Sequence, residues 1–186
     1  MKRMSLIIAF LLIVSSVVFA HNGALSLYLD DTLAKCSANI GPFGTVDLQL
    51  LYVKDQGPYL GNAAEFRILK SNGDKAVFNN VAWSTQIVAT LGDISTGITV
   101  TGADCLGLNS DVTYIGTITV MDISDTDTFV VRVVEDPTAL VPGIYITKCE
   151  EGNPKANVLG GWFVFNGSCN PAVESKSWGA IKSLYK

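Results

Sequence analysis

The chain holds a single histidine, His21, and that count limits the chemistry available to it. A copper brace needs a terminal amine, the imidazole beside it and a second imidazole, which one chain cannot supply. His21 therefore reads as an exposed mature N-terminus, with an amine–imidazole chelate as the metal alternative. A Ser-His-Asp or Cys-His arrangement would have to recruit the same terminal residue as base, and no Gly-x-Ser-x-Gly elbow occurs. Paired carboxylates for glycoside hydrolysis remain open through Glu65, Glu135, Asp136, Glu150 and Glu151, whose separations a sequence does not reveal. Asp122, Asp125 and Asp127 crowd three carboxylates into six residues, the oxygen-rich chemistry that calcium favours. They lack the glycine and the distal glutamate of an EF-hand loop, so a solvated turn is the preferred reading and no resident metal or cofactor is expected.

Two further sets of residues bear on binding. Tyr59, Trp83 and Trp162 are the candidate ring platform for stacking a sugar, weighed against ordinary packing of aromatics in a β protein. Asn166-Gly167-Ser168 fits a glycosylation acceptor, but Asn-Gly is also a turn signal, and the turn is favoured. The four cysteines, Cys36, Cys105, Cys149 and Cys169, contain no Cys-x-x-Cys. An even set in an exported chain implies two disulfides. Three pairings satisfy the count, and the favoured one joins Cys36 to Cys105 and Cys149 to Cys169, because the second pair brackets only a turn and a strand.

Export follows from the first 20 residues. Lys2 and Arg3 precede an unbroken apolar run from Leu6 to Val14, and Val18-Phe19-Ala20 supplies a cleavage site, so residues 1–20 read as a signal peptide. Cleavage there removes two of the 13 basic residues and none of the 17 acidic ones, taking the formal charge from −4 to −6. An acidic balance disfavours nucleic acid and anionic lipid as partners. Nothing later in the sequence is apolar for long enough to span a bilayer, so no membrane association is expected after cleavage, and the destination is periplasmic, extracellular or cell-surface.

From residue 21 to 174 the apolar residues fall in short β-branched and aromatic runs separated by Gly, Asn, Asp and Pro. The runs predict strands over 24–29, 45–53, 64–69, 75–78, 85–90, 97–101, 112–121, 128–134, 143–147 and 158–165. Asn72-Gly73 marks a tight hairpin turn between two of them. In 113–120 the alternation places Tyr114, Ile118 and Val120 on one side and Thr113, Thr117 and Thr119 on the other. The expected fold is all-β: one two-sheet antiparallel β-sandwich, followed over 175–186 by a short C-terminal α-helix. Trp178, Ile181 and Tyr185 at i, i+3 and i+7 give that helix an apolar docking face.

The strand Ala24-Leu-Ser-Leu-Tyr-Leu-Asp30 followed by Cys36, then Cys105-Leu-Gly107, Val134-Glu-Asp-Pro137, Ile144-Tyr-Ile146 before Cys149, and the close Ser177-Trp-Gly-Ala-Ile-Lys-Ser-Leu-Tyr-Lys186 together resemble a group of exported bacterial β-rich proteins. That resemblance covers most of the mature chain and implies export and a β-rich fold. It brings no catalytic residue with it. The leading function is an exported non-catalytic binding or structural sandwich, with an extracellular glycan or protein as partner. A carbohydrate-binding module and a secreted glycan hydrolase are the alternatives, and self-assembly through strand edges is a further one.

Overall fold

The computed structural model describes residues 23–54, 59–71, 75–123 and 127–169. The signal-peptide segment, His21, Asp125 and the C-terminal face of Trp178, Ile181 and Tyr185 lie outside the described residues. Twelve strands run in chain order: β1 (Ala24–Tyr28), β2 (Ser37–Ala38), β3 (Thr45–Val53), β4 (Leu60–Lys70), β5 (Ala76–Trp83), β6 (Ile87–Asp93), β7 (Gly97–Gly102), β8 (Val112–Asp122), β9 (Phe129–Val134), β10 (Ile144–Lys148), β11 (Lys155–Gly160) and β12 (Trp162–Phe165).

The strands form one hydrogen-bonded path, β2-β12-β9-β4-β10-β11-β1-β3-β8-β5, with β7 on the other side of β4 and β6 beyond it. Both halves of the path turn their apolar sides to one core. Leu25, Leu27, Leu48, Leu50, Ile118 and Val120 come from β1, β3 and β8, and they join Phe66, Ile68, Ile98, Val100, Val131 and Val133 from β4, β7 and β9. Each such side chain contributes about 1.5–3 kcal/mol when fully buried, which is why alternation along the strands is so regular. The two layers are linked on one side where β1 meets β11, and on the other side the edges of β5 and β6 stay apart.

Several expectations need correction. The sheet is mixed, not antiparallel throughout, because β1 runs parallel to β11 and β2 parallel to β12. Asn72 and Gly73 lie outside the described residues, and the strands on either side of them do not form the predicted hairpin: β4 pairs with β7, β9 and β10, while β5 pairs with β8. A turn signal reports a local chain reversal and says nothing of which strands pair, and here β4 and β5 have different partners. The single strand predicted over 158–165 is two, divided at Gly160-Gly161. A β-carbon on Gly161 would stand 1.9 Å from Ser26 Oγ and one on Gly160 2.0 Å from Val133 O, so only glycine lets the backbone pass between the layers there.

The alternation read in 113–120 also changes phase. Leu50 lies opposite Gly116 and Leu51 opposite Tyr114, which leaves Ile115 as the extra residue of a β-bulge. One inserted residue flips every side chain before it to the other face. Thr113 is therefore buried, and Tyr114 points outward with its hydroxyl 2.7 Å from Thr117 Oγ1.

The disulfides are present but join differently: Cys36 to Cys169 and Cys105 to Cys149, with Cα–Cα distances of 5.9 and 5.6 Å. Closeness in sequence was the wrong guide. The two-residue β2 docks parallel on β12, Ser37 opposite Val164, and so carries Cys36 to the far end of the described chain.

Candidate binding surface

Strands β6, β7, β4, β10 and β11 lie side by side, and from Ala89 onward in β6 and throughout the other four their odd-numbered residues face away from the core, whereas Ile87, before the β6 bulge, packs against it. The register places Leu91 opposite Thr99, Thr99 opposite Glu65, Glu65 opposite Tyr145 and Tyr145 opposite Asn157. A second row runs Ala89, Thr101, Ala63. Small and β-branched side chains at these places suit a pleated surface. Leu91 is 78% exposed at one margin. At the other, Lys155 Nζ stands 2.8 Å from Glu65 Oε2 and 5.6 Å from the centre of the Tyr145 ring. The half formed by Leu91, Ala89, Thr99, Thr101 and Ala63 carries no charge, and Glu65 beside it is paired with Lys155. Such a surface offers contact area and loses little by desolvation.

The outer side of β3 and β8 differs in kind. Asp47 and Gln49 stand opposite Thr119 and Thr117, and Thr119 Oγ1 donates to Asp47 Oδ1 at 2.6 Å. That face is polar and internally hydrogen-bonded.

The residues singled out from sequence fall in separate places. Tyr59 precedes β4, with Lys54 Nζ 4.0 Å over its ring. Trp83 ends β5, packed against the core opposite Gly116, and Trp162 opens β12, 43% exposed opposite Arg132. β5 and β12 stand near opposite ends of the strand order, and the ring pairs Phe129 with Phe165 and Phe163 with Phe165 involve none of the three. The carboxylates are equally dispersed. Glu65 is engaged by Lys155, Asp136 is buried and accepts from Thr138 N and Oγ1 at 2.7 Å, and Glu150 and Glu151 lie in the exposed turn after β10. Glu135 follows β9, its backbone carbonyl accepting from Arg67 Nε at 3.0 Å.

Asp122 and Asp127 have different surroundings. Asp122 is fully buried and its Oδ2 accepts from Asn166 Nδ2 at 3.1 Å, whereas Asp127 is half-exposed and pairs with Lys75 at 2.6 Å. Among the described residues no three His, Cys, Asp or Glu side chains gather as metal ligands. Asn166 is a residue whose weight the sequence did not reveal. It adopts φ 52° in the turn after β12, accepts from Ile40 N at 2.8 Å and donates to Asp122, tying the β2, β8 and β12 segments together. The Asn-Gly signal located the turn, but not the partners that lie 44 and 126 residues away.

On the open side of the fold, a groove of about 490 Å³ lies between β5 and the turn after β6, lined by Lys70, Phe78, Asn80, Asp93 and Ser95. Its ionisable groups are committed locally. Lys70 Nζ donates to Ala76 O, and Ser95 Oγ and N hold the Asp93 carboxylate at 2.5 and 2.8 Å, keeping it below its usual pKa.

No protein-family model matches the chain, and no curated protein matches its sequence. Solved structures do match its fold. A cohesin module from the family 33 glycoside hydrolase of Clostridium perfringens superposes with a TM-score of 0.55 at 7% identity, covering 78% of this chain and 96% of that one. A non-cellulosomal cohesin from the archaeon Archaeoglobus fulgidus gives 0.45 at 11% identity, over 83% and 97% of the two chains. The third ScaB cohesin of R. flavefaciens, solved in complex with a group 1 dockerin, gives 0.44 at 9% identity, over 74% and 90%. At these identities the likeness is one of architecture, and the Clostridium perfringens module establishes that the chain has a cohesin-like β fold.

Proposed function

We propose that this is an exported, non-catalytic module that binds another protein through the outer face of β6, β7, β4 and β10. The observation that carries the reading is the uncharged row set of Leu91, Ala89, Thr99, Thr101 and Ala63, bordered on one side by Tyr145 and the Glu65–Lys155 pair. The centre of a protein interface is depleted of charge and bordered by polar groups, and the uncharged half of this face has such a border on its β10 side. The cohesin-like fold is consistent with a recognition module, and Lys2, Arg3 and the apolar run after them, together with two formed disulfides, support export.

The test immobilises the wild-type protein beside a Thr99→Arg, Thr101→Arg twin. Both are challenged with the exported proteins of a producing culture and, separately, with a panel of polysaccharides. A defined protein retained by the wild type and lost by the twin supports the proposal. Polysaccharide retention that survives in the twin would point to carbohydrate binding elsewhere, and release of sugar would make the protein a hydrolase.

A further inference from the structure

Arginine is scarce in this chain. After Arg3 the sequence holds two, Arg67 and Arg132, and β4 and β9 bring both to one outer face. Even-numbered positions of β4 and odd-numbered ones of β9 and β12 fill the core, as Ile68, Val131 and Phe163 do. Arg67 and Leu69, Val130, Arg132 and Val134, and Trp162 therefore point the other way. The register sets Trp162 opposite Arg132 and Arg132 opposite Leu69, a row in which an aromatic and an aliphatic side chain flank a guanidinium. Trp162 and Leu69 are 43% and 39% exposed, and Arg132 is exposed between them. Among the described residues the ion pairs and the cation–ring contacts all use lysines, and Arg132 has no side-chain partner. Arg67 Nε donates to Glu135 O at 3.0 Å, which leaves the two terminal nitrogens of its guanidinium uncommitted.

We propose that this outer face of β12, β9 and the end of β4 docks an acidic peptide segment of another protein, an Asp or Glu carboxylate seated on Arg132 and its apolar neighbours on Trp162, Leu69 and Val130. Charge complementarity selects the acid. The six outward positions hold two cations and no carboxylate, in a chain with 17 acidic and 13 basic residues. A guanidinium takes a carboxylate through two parallel N–H bonds, and apolar groups closed round the pair exclude water and strengthen it. The same composition selects a peptide over a charged glycan. None of the six side chains carries a hydroxyl or an amide, so the hydroxyls of a sugar would lose water without gaining partners there. Leucine or valine beside an acid matches the aliphatic surface, and Trp and Arg are the side chains that most often carry protein recognition. The surface is separate from the binding face proposed above, because β4 meets β9 through Arg67 to Lys70 and meets β7 and β10 through Leu60 to Phe66.

The experiment is a titration of isotope-labelled protein followed by NMR at the Trp162 indole N–H and the Arg132 Nε–H. Three probes are used: a synthetic peptide of alternating leucine and glutamate, the same peptide with glutamine for glutamate, and oligogalacturonate. The glutamate peptide should shift both signals to saturation. The glutamine peptide should bind the wild type at least about tenfold more weakly, and so should the glutamate peptide bind Arg132→Gln. Arg132→Gln should melt with the wild type, because the side chain is exposed and unpartnered. Thr99→Arg should bind the glutamate peptide as the wild type does, so this site and the face proposed above stand or fall separately. No saturation with the glutamate peptide, equal binding of the glutamine peptide, undiminished binding by Arg132→Gln, or a loss in Thr99→Arg as large as in Arg132→Gln would each overturn the proposal. Oligogalacturonate that moves both signals at lower concentration than the glutamate peptide would also overturn it and make the ligand a glycan.

Discussion

Replacing Cys36 and Cys169 together by serine removes a bridge across 133 residues, whereas removing Cys105 and Cys149 opens a loop of 44. In the chain-entropy account the first bridge restricts the unfolded chain by about 5 kcal/mol and the second by about 4. For a domain of this size each kcal/mol moves the melting temperature by about 2–4 °C, so the expected losses are about 10–20 °C and about 8–16 °C. The informative comparison is a third variant, Cys36→Ser with Cys105→Ser. It strands Cys149 and Cys169 without native partners and should cost as much as losing both bridges together. Calorimetric melts of the three, read beside a non-reducing peptide map, give the result. A map linking Cys36 to Cys105, or a Cys36→Ser, Cys105→Ser variant no less stable than the two other pairs, would refute the docking of β2 on β12 from which the pairing follows.

Two other outcomes follow from buried polar groups. Tyr52 is fully buried, and burial pushes its hydroxyl up to about 12, above its ordinary value of 10.0. The unfolded chain ionises first, so stability should be complete below pH 10 and fall by up to about 2.5 kcal/mol as pH rises towards 12, a slope that Tyr52→Phe should lessen in urea titrations at pH 9 to 12. Asn166→Ala leaves Ile40 N and buried Asp122 each short of a bond and should cost about 1–3 kcal/mol by urea denaturation. Asn166→Asp should cost more at pH 7 by the same assay, because it sets a second carboxylate beside Asp122.

The strands were the readable part of this fold, since burying one face imposes alternation on the sequence. β3 spans the residues predicted for it, and every predicted run contains strand. What alternation cannot carry is pairing. A bulge at Ile115 reversed the reading of Thr113 and Tyr114, because one inserted residue changes phase without altering composition. The Asn-Gly signal at 72–73 in the sequence gives no sign that β5 pairs with β8, and the partner of Cys36 depends on a two-residue strand too short to show a period. The candidate surface was hidden for a different reason. A search for reactive residue types passes over Ala63, Thr99 and Thr101, whose significance is their common face, and that face exists only once β4 and β7 are in register.

Titrating the captured protein against paired surface variants distinguishes recognition on the β6, β7, β4 and β10 face from recognition elsewhere. Thr99→Arg places an unpaired cation in the uncharged row, and Thr119→Arg places the same cation on the polar face of β8. A partner seated on the proposed face should bind Thr99→Arg at least about tenfold more weakly, about 1.4 kcal/mol, and bind Thr119→Arg as it binds the wild type. Undiminished affinity for Thr99→Arg with a loss at Thr119→Arg would contradict the account and move the site to the opposite layer.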